Sequence, residues 1–196
     1  MDKYYQAVKA YFEKYDKKAT IILKGGEKIY IASPGNDEVA AVGLNEAADG
    51  EALVAQSVFA QKKDINAVII SSLKFSSVVA DTGVTTPPLL DDLAQIVGPS
   101  VRTASYFDAV QILKKLKGRN ACLVKGKGAV AVGRTLDEAD TATLVLEKAA
   151  KAFVEAAAIG GVKPIRKLEA VLMHIVYKNK YSKIDQTEKI KEMQND

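Results

Sequence analysis

Apolar and aromatic positions at the start of the chain, Tyr4, Tyr5, Val8, Tyr11, Phe12 and Tyr15, recur at helical spacing. They predict an opening amphipathic helix whose tyrosine stripe packs rather than binds a ligand. The runs "ATIILK" and "KIYIAS" flank Gly25-Gly26, a hairpin signal. "EVAAVGL" reads as a further short strand. "EALVAQSVFAQKK" reads as a helix ending at a lysine pair, which suits the negative end of a helix dipole. "NAVIISS" has the unbroken apolar run of a buried strand, and "KFSSVVAD" a short helix stopped by Gly83. "TTPPLLDDLAQIVG" predicts a helix entered through two prolines and ended at Gly98. "SVRTASY" follows as a short strand, and "YFDAVQILKKLKG" as an amphipathic helix with Gly118 past its end. The strands "ACLVK" and "AVAVG" come next. Thr135 and Glu138 then form a T-x-x-E signature opening a long helix to about Ala158. "KPIRKLEAVLMHIVYKN" is a last helix after the Gly160-Gly161 break. Hairpins beside crossovers predict an α/β chain with a mixed, largely antiparallel sheet covered by helices.

With no repeat, low-complexity linker or composition break, the 196 residues are expected to form one domain, 1–196. A 48% hydrophobic content fits a globular core. The formal charge of +4, from 28 basic and 24 acidic residues, is small and spread along the chain, so no nucleic-acid partner is expected. The lysines of "KNKYSK" and "KIKEMQND" read as a solvated tail. No stretch approaches the roughly 20 apolar residues of a membrane span, and the charged first residues do not read as a signal peptide. The lone Cys122, inside "ACLV", reads as a small buried hydrophobe in a reducing compartment. A cytoplasmic location is the expectation.

No dinucleotide or phosphate-loop motif is present: Lys127 follows a glycine but is followed by Gly128 and Ala129, so the hydroxyl of a phosphate loop is missing. Three pieces instead resemble the class II aldolase/adducin family. "KKDINAVIISS" is similar to that family's strand ending in His-x-His. "PPLLDDLAQIVG" matches the segment that follows. "ACLVKGKGAVAVGRTLDEA", with "LEKAAKAF" downstream, resembles its strand, Asn-His-Gly turn, strand and capped helix. The pieces occur in order over residues 45 to 160. The resemblance implies a three-layer α/β/α fold and a homo-oligomer, usually a tetramer.

It also implies a site. Members are typically zinc enzymes whose three histidines come from His-x-His and Asn-His-Gly. In this register Ile70 and Ser72 stand at the first two positions, and Gly126 and Lys127 at Asn and His. The only histidine, His174, lies far from these motifs and reads as a packed or interface residue. Isoleucine cannot ligate zinc, serine is a poor ligand, and a lysine is protonated near neutrality. No metal or cofactor is therefore expected. Glu51 falls where the family carries its acid/base glutamate. An acid in the first turn of a helix is also favoured by the dipole alone. The serine pair that helps hold phosphate in the family is Asp49-Gly50 here. Ser33 and Gly35, in "ASPGND", echo a second phosphate-binding turn.

Lys125 and Lys127 are two apart and share a face if the backbone is extended. One reading makes Lys127 an ion-pair partner of Glu51 in place of the metal charge. Another makes it a Schiff-base nucleophile with Lys125 lowering its pKa. Asp91 and Asp92 are adjacent on a helix and do not face one another, so they read as helix-start acids. Tyr177 and Tyr181 fall where the family brings residues toward a neighbouring subunit's site. The function expected is that of a diverged, zinc-free homologue of sugar-phosphate aldolases, without aldolase activity. It binds a small anionic metabolite through residues among Ser33, Gly35, Ser72 and Lys125, or serves as an oligomeric scaffold. The alternative is a lyase on a small phosphorylated sugar using Glu51 and Lys127.

Overall fold

The computed structural model describes the backbone of residues 2–194 and the side chains of residues 2–180. Helix α1 (Lys3–Lys14) starts at Asp2, whose carboxylate accepts from the Tyr4 N–H at 2.9 Å. Its buried stripe, Val8 and Phe12, lies on the hairpin of β1 (Ala19–Gly25) and β2 (Lys28–Ala32). Gly26 turns that hairpin at a φ of 64°, a conformation glycine adopts without strain. Strand β3 (Ala40–Gly43) pairs with β2, and β4 (Ala67–Ser71) with β1.

The sheet continues through β7 (Gly128–Gly133), β6 (Ala121–Val124) and β5 (Thr103–Ala104), in the order β3-β2-β1-β4-β7-β6-β5. All neighbours are antiparallel except β5 and β6. Strand alternation divides the core. Ile22, Ile70, Val124 and Val130 face α2 (Gly50–Gln61) and α4 (Ala109–Leu116). Ile21, Ile69, Leu123 and Ala131 face the opposite layer, formed by α1, α3 (Lys74–Thr82) and α5 (Leu136–Ala158). A one-residue slip of β4 would exchange its two apolar faces, so burial on both sides is what permits the run Ala67 to Ile70. The expected three-layer α/β/α architecture is thus the one observed.

Boundaries differ from expectation in instructive places. The helix expected before Gly98 is only a short segment that closes as a π-helical turn, Leu93–Val97, with the Gly98 N–H donating to the Leu93 carbonyl at 2.9 Å. Asp92 stands at its start, ion-paired to Lys148 at 2.7 Å. Helix α4 begins after Asp108, whose carboxylate caps the Gln111 N–H, so Tyr106 and Phe107 lie before the helix. Thr135 caps α5 as read. The Glu138 carboxylate, however, turns to the Arg134 backbone N–H and guanidinium, leaving the capping box half made. Helix α6 (Lys167–Gln194) starts after Pro164 and docks on the π-helical turn through His174, whose Nδ1 lies 2.7 Å from the Gln95 carbonyl. No helix among the described residues is long and apolar enough to cross a membrane.

Candidate functional site

The sheet brings four separate segments to one end of β4. The start of β1 supplies Thr20, which pairs in register with Ile70. The end of β2 leads into Ser33. The first turn of α2 supplies Glu51, and the β6–β7 turn supplies Lys127. Together with Lys18, Pro34, Ile70, Ser71, Ser72 and Gly126 they line a cavity of about 330 Å³.

Two backbone features place Lys127. Gly126 adopts a φ of 71°, and its N–H donates to the Asp81 carboxylate of α3 at 2.9 Å. Gly128, at a φ of 104°, lies against the end of β4, so that a Cβ there would come within 2.3 Å of the Ser71 carbonyl oxygen. Only glycine permits that approach. The Lys127 ammonium then reaches the Glu51 Oε1 at 2.8 Å and sits 5.1 Å from the centre of the Phe107 ring. The second carboxylate oxygen accepts from Thr20 Oγ1 and Ser33 Oγ, each at 2.8 Å.

The Glu51 side chain is 20% exposed and that of Lys127 41% exposed. Burial pushes the Glu51 carboxyl up. Hydrogen bonds from Lys127, Ser33 and Thr20, with the charge of Lys127, outweigh it and hold the group below the ordinary value of 4.5. Glu51 is therefore an anion near neutrality. Although it lies in the first turn of α2, its carboxylate turns to these three side chains, and the α2 N-cap Asp49 makes no side-chain cap.

The structure thus brings Glu51, Lys127, Ser33 and Ser72 together. It does not bring in Lys125 or Gly35. The αL residue Gly126 reverses the backbone, so the two lysines do not share a strand face, and Lys125 is exposed on the outside of the turn. Gly35 is exposed beyond Ser33 and Pro34. Cys122 is fully buried on the α2 face with its thiol pushed up to about 12 by burial, which leaves it inert as a nucleophile. Tyr177 lines a separate cavity with Gln95, Leu172 and Met173. The side chain of Tyr181 lies outside the described residues. Thr20 carries no signal of its role in the sequence, since a threonine in an apolar run marks only a strand. Among the described residues no group of three or more His, Cys, Asp and Glu side chains converges as metal ligands do.

Residues 37–154 match the family described as the Class II Aldolase and Adducin N-terminal domain. The chain belongs to that family. A 5-methylthioribulose-1-phosphate/5-deoxyribulose-1-phosphate aldolase of Rhodospirillum rubrum is 29% identical over 102 residues, which is 49% of this chain and 46% of that protein. The chain thus matches less than half the length of that relative. Among solved structures, an L-fuculose 1-phosphate aldolase superposes with a TM-score of 0.82 at 20% identity, covering 91% of this chain and 97% of the other. The L-fuculose-1-phosphate aldolase of Thermus thermophilus gives a TM-score of 0.68 at 17% identity, over 81% and 98%. At these identities the likeness is one of fold.

Proposed function

We propose that this class II aldolase family member is zinc-free, lacks the family's metal-dependent aldol chemistry, and binds a small anionic metabolite such as a sugar phosphate in the Glu51–Lys127 cavity. One observation carries the reading. The Lys127 ammonium stands where the family resemblance places a zinc histidine, and it is bonded to Glu51 at 2.8 Å. A catalytic zinc needs about three protein donors and an open position. Here the candidate donors are an aliphatic side chain, a serine hydroxyl and an ammonium that already supplies a positive charge to the one carboxylate. That donor set does not fit a resident zinc. The hydroxyls of Ser72 and Ser33 and the cation of Lys18 are suited to a hydroxylated anion. Isothermal titration with fuculose 1-phosphate and inorganic phosphate tests this, alongside an aldolase assay with and without added zinc. Binding without cleavage is expected, and zinc-dependent cleavage would overturn the reading.

A second reading, a metal-free lyase, is favoured by the same 2.8 Å contact. Lys127 would pass a proton to Glu51, add its free amine to a substrate carbonyl and expel water to form an imine. The same contact ties the ammonium to Glu51, and that chemistry has to break it. Borohydride reduction in the presence of a carbonyl substrate distinguishes the two, since only the lyase leaves a covalent adduct on Lys127.

The chain is also proposed to form a homo-oligomer, a tetramer by family resemblance. Support comes from Leu168, Leu172, Ile175 and Val176 of α6, each at least half exposed. Light scattering that gives a monomer at micromolar concentration counts against it.

A further inference from the structure

The Glu51–Lys127 cavity does not end at its own walls. A second cavity of about 700 Å³ adjoins it on the α1–α5 side of β4. The two have Lys18, Pro34, Ser71 and Ser72 in common. The two cavities thus adjoin at the end of β4, the smaller forming an inner lobe and the larger an outer lobe.

The lobes differ in chemistry. The inner one is floored by Glu51, Lys127, Thr20 and Ser33. The outer one has an apolar wall of Leu73, Ala19 and Leu144, the last on α5 and 50% exposed. Its charged groups are largely satisfied. Lys14 is paired at 2.7 Å with Asp140, which also accepts from the Tyr15 hydroxyl at 2.9 Å. Lys17 is paired at 2.8 Å with Asp37. Lys18, at the junction, differs. Its closest carboxylate among the described ion pairs is Asp16 at 3.8 Å, and both side chains are at least 80% exposed. Such a pair is screened by water and leaves the ammonium available. The shared wall also holds Ser71, which is 2% exposed and has a hydroxyl with no partner among the described residues.

We propose that the ligand is a phosphate-type anion carrying an apolar aryl or alkyl substituent, with the anion at Lys18 and the substituent in the outer lobe against Leu73 and Leu144. This rests on the anion-binding reading of the inner lobe and adds the class of ligand. The inner lobe alone lies at the small end of ligand sites, whereas the pair reaches the size of a cleft that engulfs a substituted metabolite. The apolar wall gains only from a ligand with an apolar end.

Inorganic phosphate and phenyl phosphate serve as probes, titrated into the full-length protein by calorimetry. Phenyl phosphate should bind about tenfold tighter or more, from burial of the ring. Leu144→Gln, a neutral change at a half-exposed helix position, should reduce that advantage while leaving inorganic phosphate affinity within about twofold. Leu144→Met should keep it. Lys18→Met should weaken both anions. Equal binding of the two anions by the wild-type protein, or an aryl advantage undiminished in Leu144→Gln, overturns the outer-lobe proposal and leaves the anion site standing. Failure of both anions to bind overturns the anion site and the proposal with it.

Discussion

Replacing Lys127 by Met keeps an unbranched apolar stem of similar length and removes the ammonium, with its contacts to Glu51 and the Phe107 ring. Glu51 then retains the Thr20 and Ser33 hydroxyls on one oxygen and loses its partner on the other. A buried charged group left unsatisfied costs about 1–3 kcal/mol. Here the lysine side chain is 41% exposed, so solvent screens the pair and the lower part of that range applies. The expected cost of Lys127→Met is about 1 kcal/mol, seen as a fall in melting temperature of roughly 2–4 °C for a chain of this size. Glu51→Gln should cost a similar amount, and the double variant less than the sum by about 0.5–1 kcal/mol, because contacting partners couple. Urea unfolding at neutral pH measures all four corners of the cycle.

The pair also leaves a pH signature. A carboxylate held below its ordinary value contributes stability above the unfolded value of 4.5 and loses it as pH falls through the depressed folded value. Lys127→Met should therefore flatten the acid limb below about pH 4.5. Additive single-variant costs, within about 0.3 kcal/mol, would show that the two side chains do not meet in solution and would refute the reasoning.

Two other outcomes follow from the geometry. Gly128→Ala forces a side chain into a positive φ and against the Ser71 carbonyl, so it should destabilise by about 2 kcal/mol or more in thermal unfolding and disturb the Lys127 turn; a neutral result contradicts the close approach. His174 is held below the ordinary imidazole value by burial, partly countered by the Gln95 carbonyl and reinforced by the charges of Lys178, Lys62 and Arg119. Unfolding at acid pH then takes up a proton, so stability should fall as pH drops below 6.5 toward the folded value; NMR titration of the single histidine in the wild-type protein reads the lowered value, and His174→Gln should remove the slope in urea unfolding.

The elements set by local chemistry are legible in the chain. Gly83 and Gly118 stop helices where expected, Gly26 makes the hairpin turn, and Thr135 opens α5. The π-helical closure before Gly98 is not legible, because no residue type signals a bond from the Gly98 N–H to a carbonyl five residues back. At the site, Glu51 and Lys127 stand out only because family register places them; nothing local joins residues 76 apart in sequence. Lys125 is expected beside Lys127 only if the backbone is extended, and the αL Gly126 breaks that assumption. Thr20 and Lys18 escape a reading of the sequence because their roles depend on the register of β1 against β4 and on which neighbouring lysines find carboxylates, both properties of the assembled sheet. The outer lobe, formed between α1, α5 and the end of β4, likewise has no sequence signature.

Metal content tests the central claim most directly. Protein purified without chelators, incubated with excess zinc and dialysed, is analysed for bound metal. A site built around a Lys127–Glu51 ion pair should retain zinc far below stoichiometry, and Lys127→His should not restore it, since Ile70 and Ser72 supply no adequate further ligands. About one zinc per chain that survives dialysis and is lost in Glu51→Gln would contradict the account.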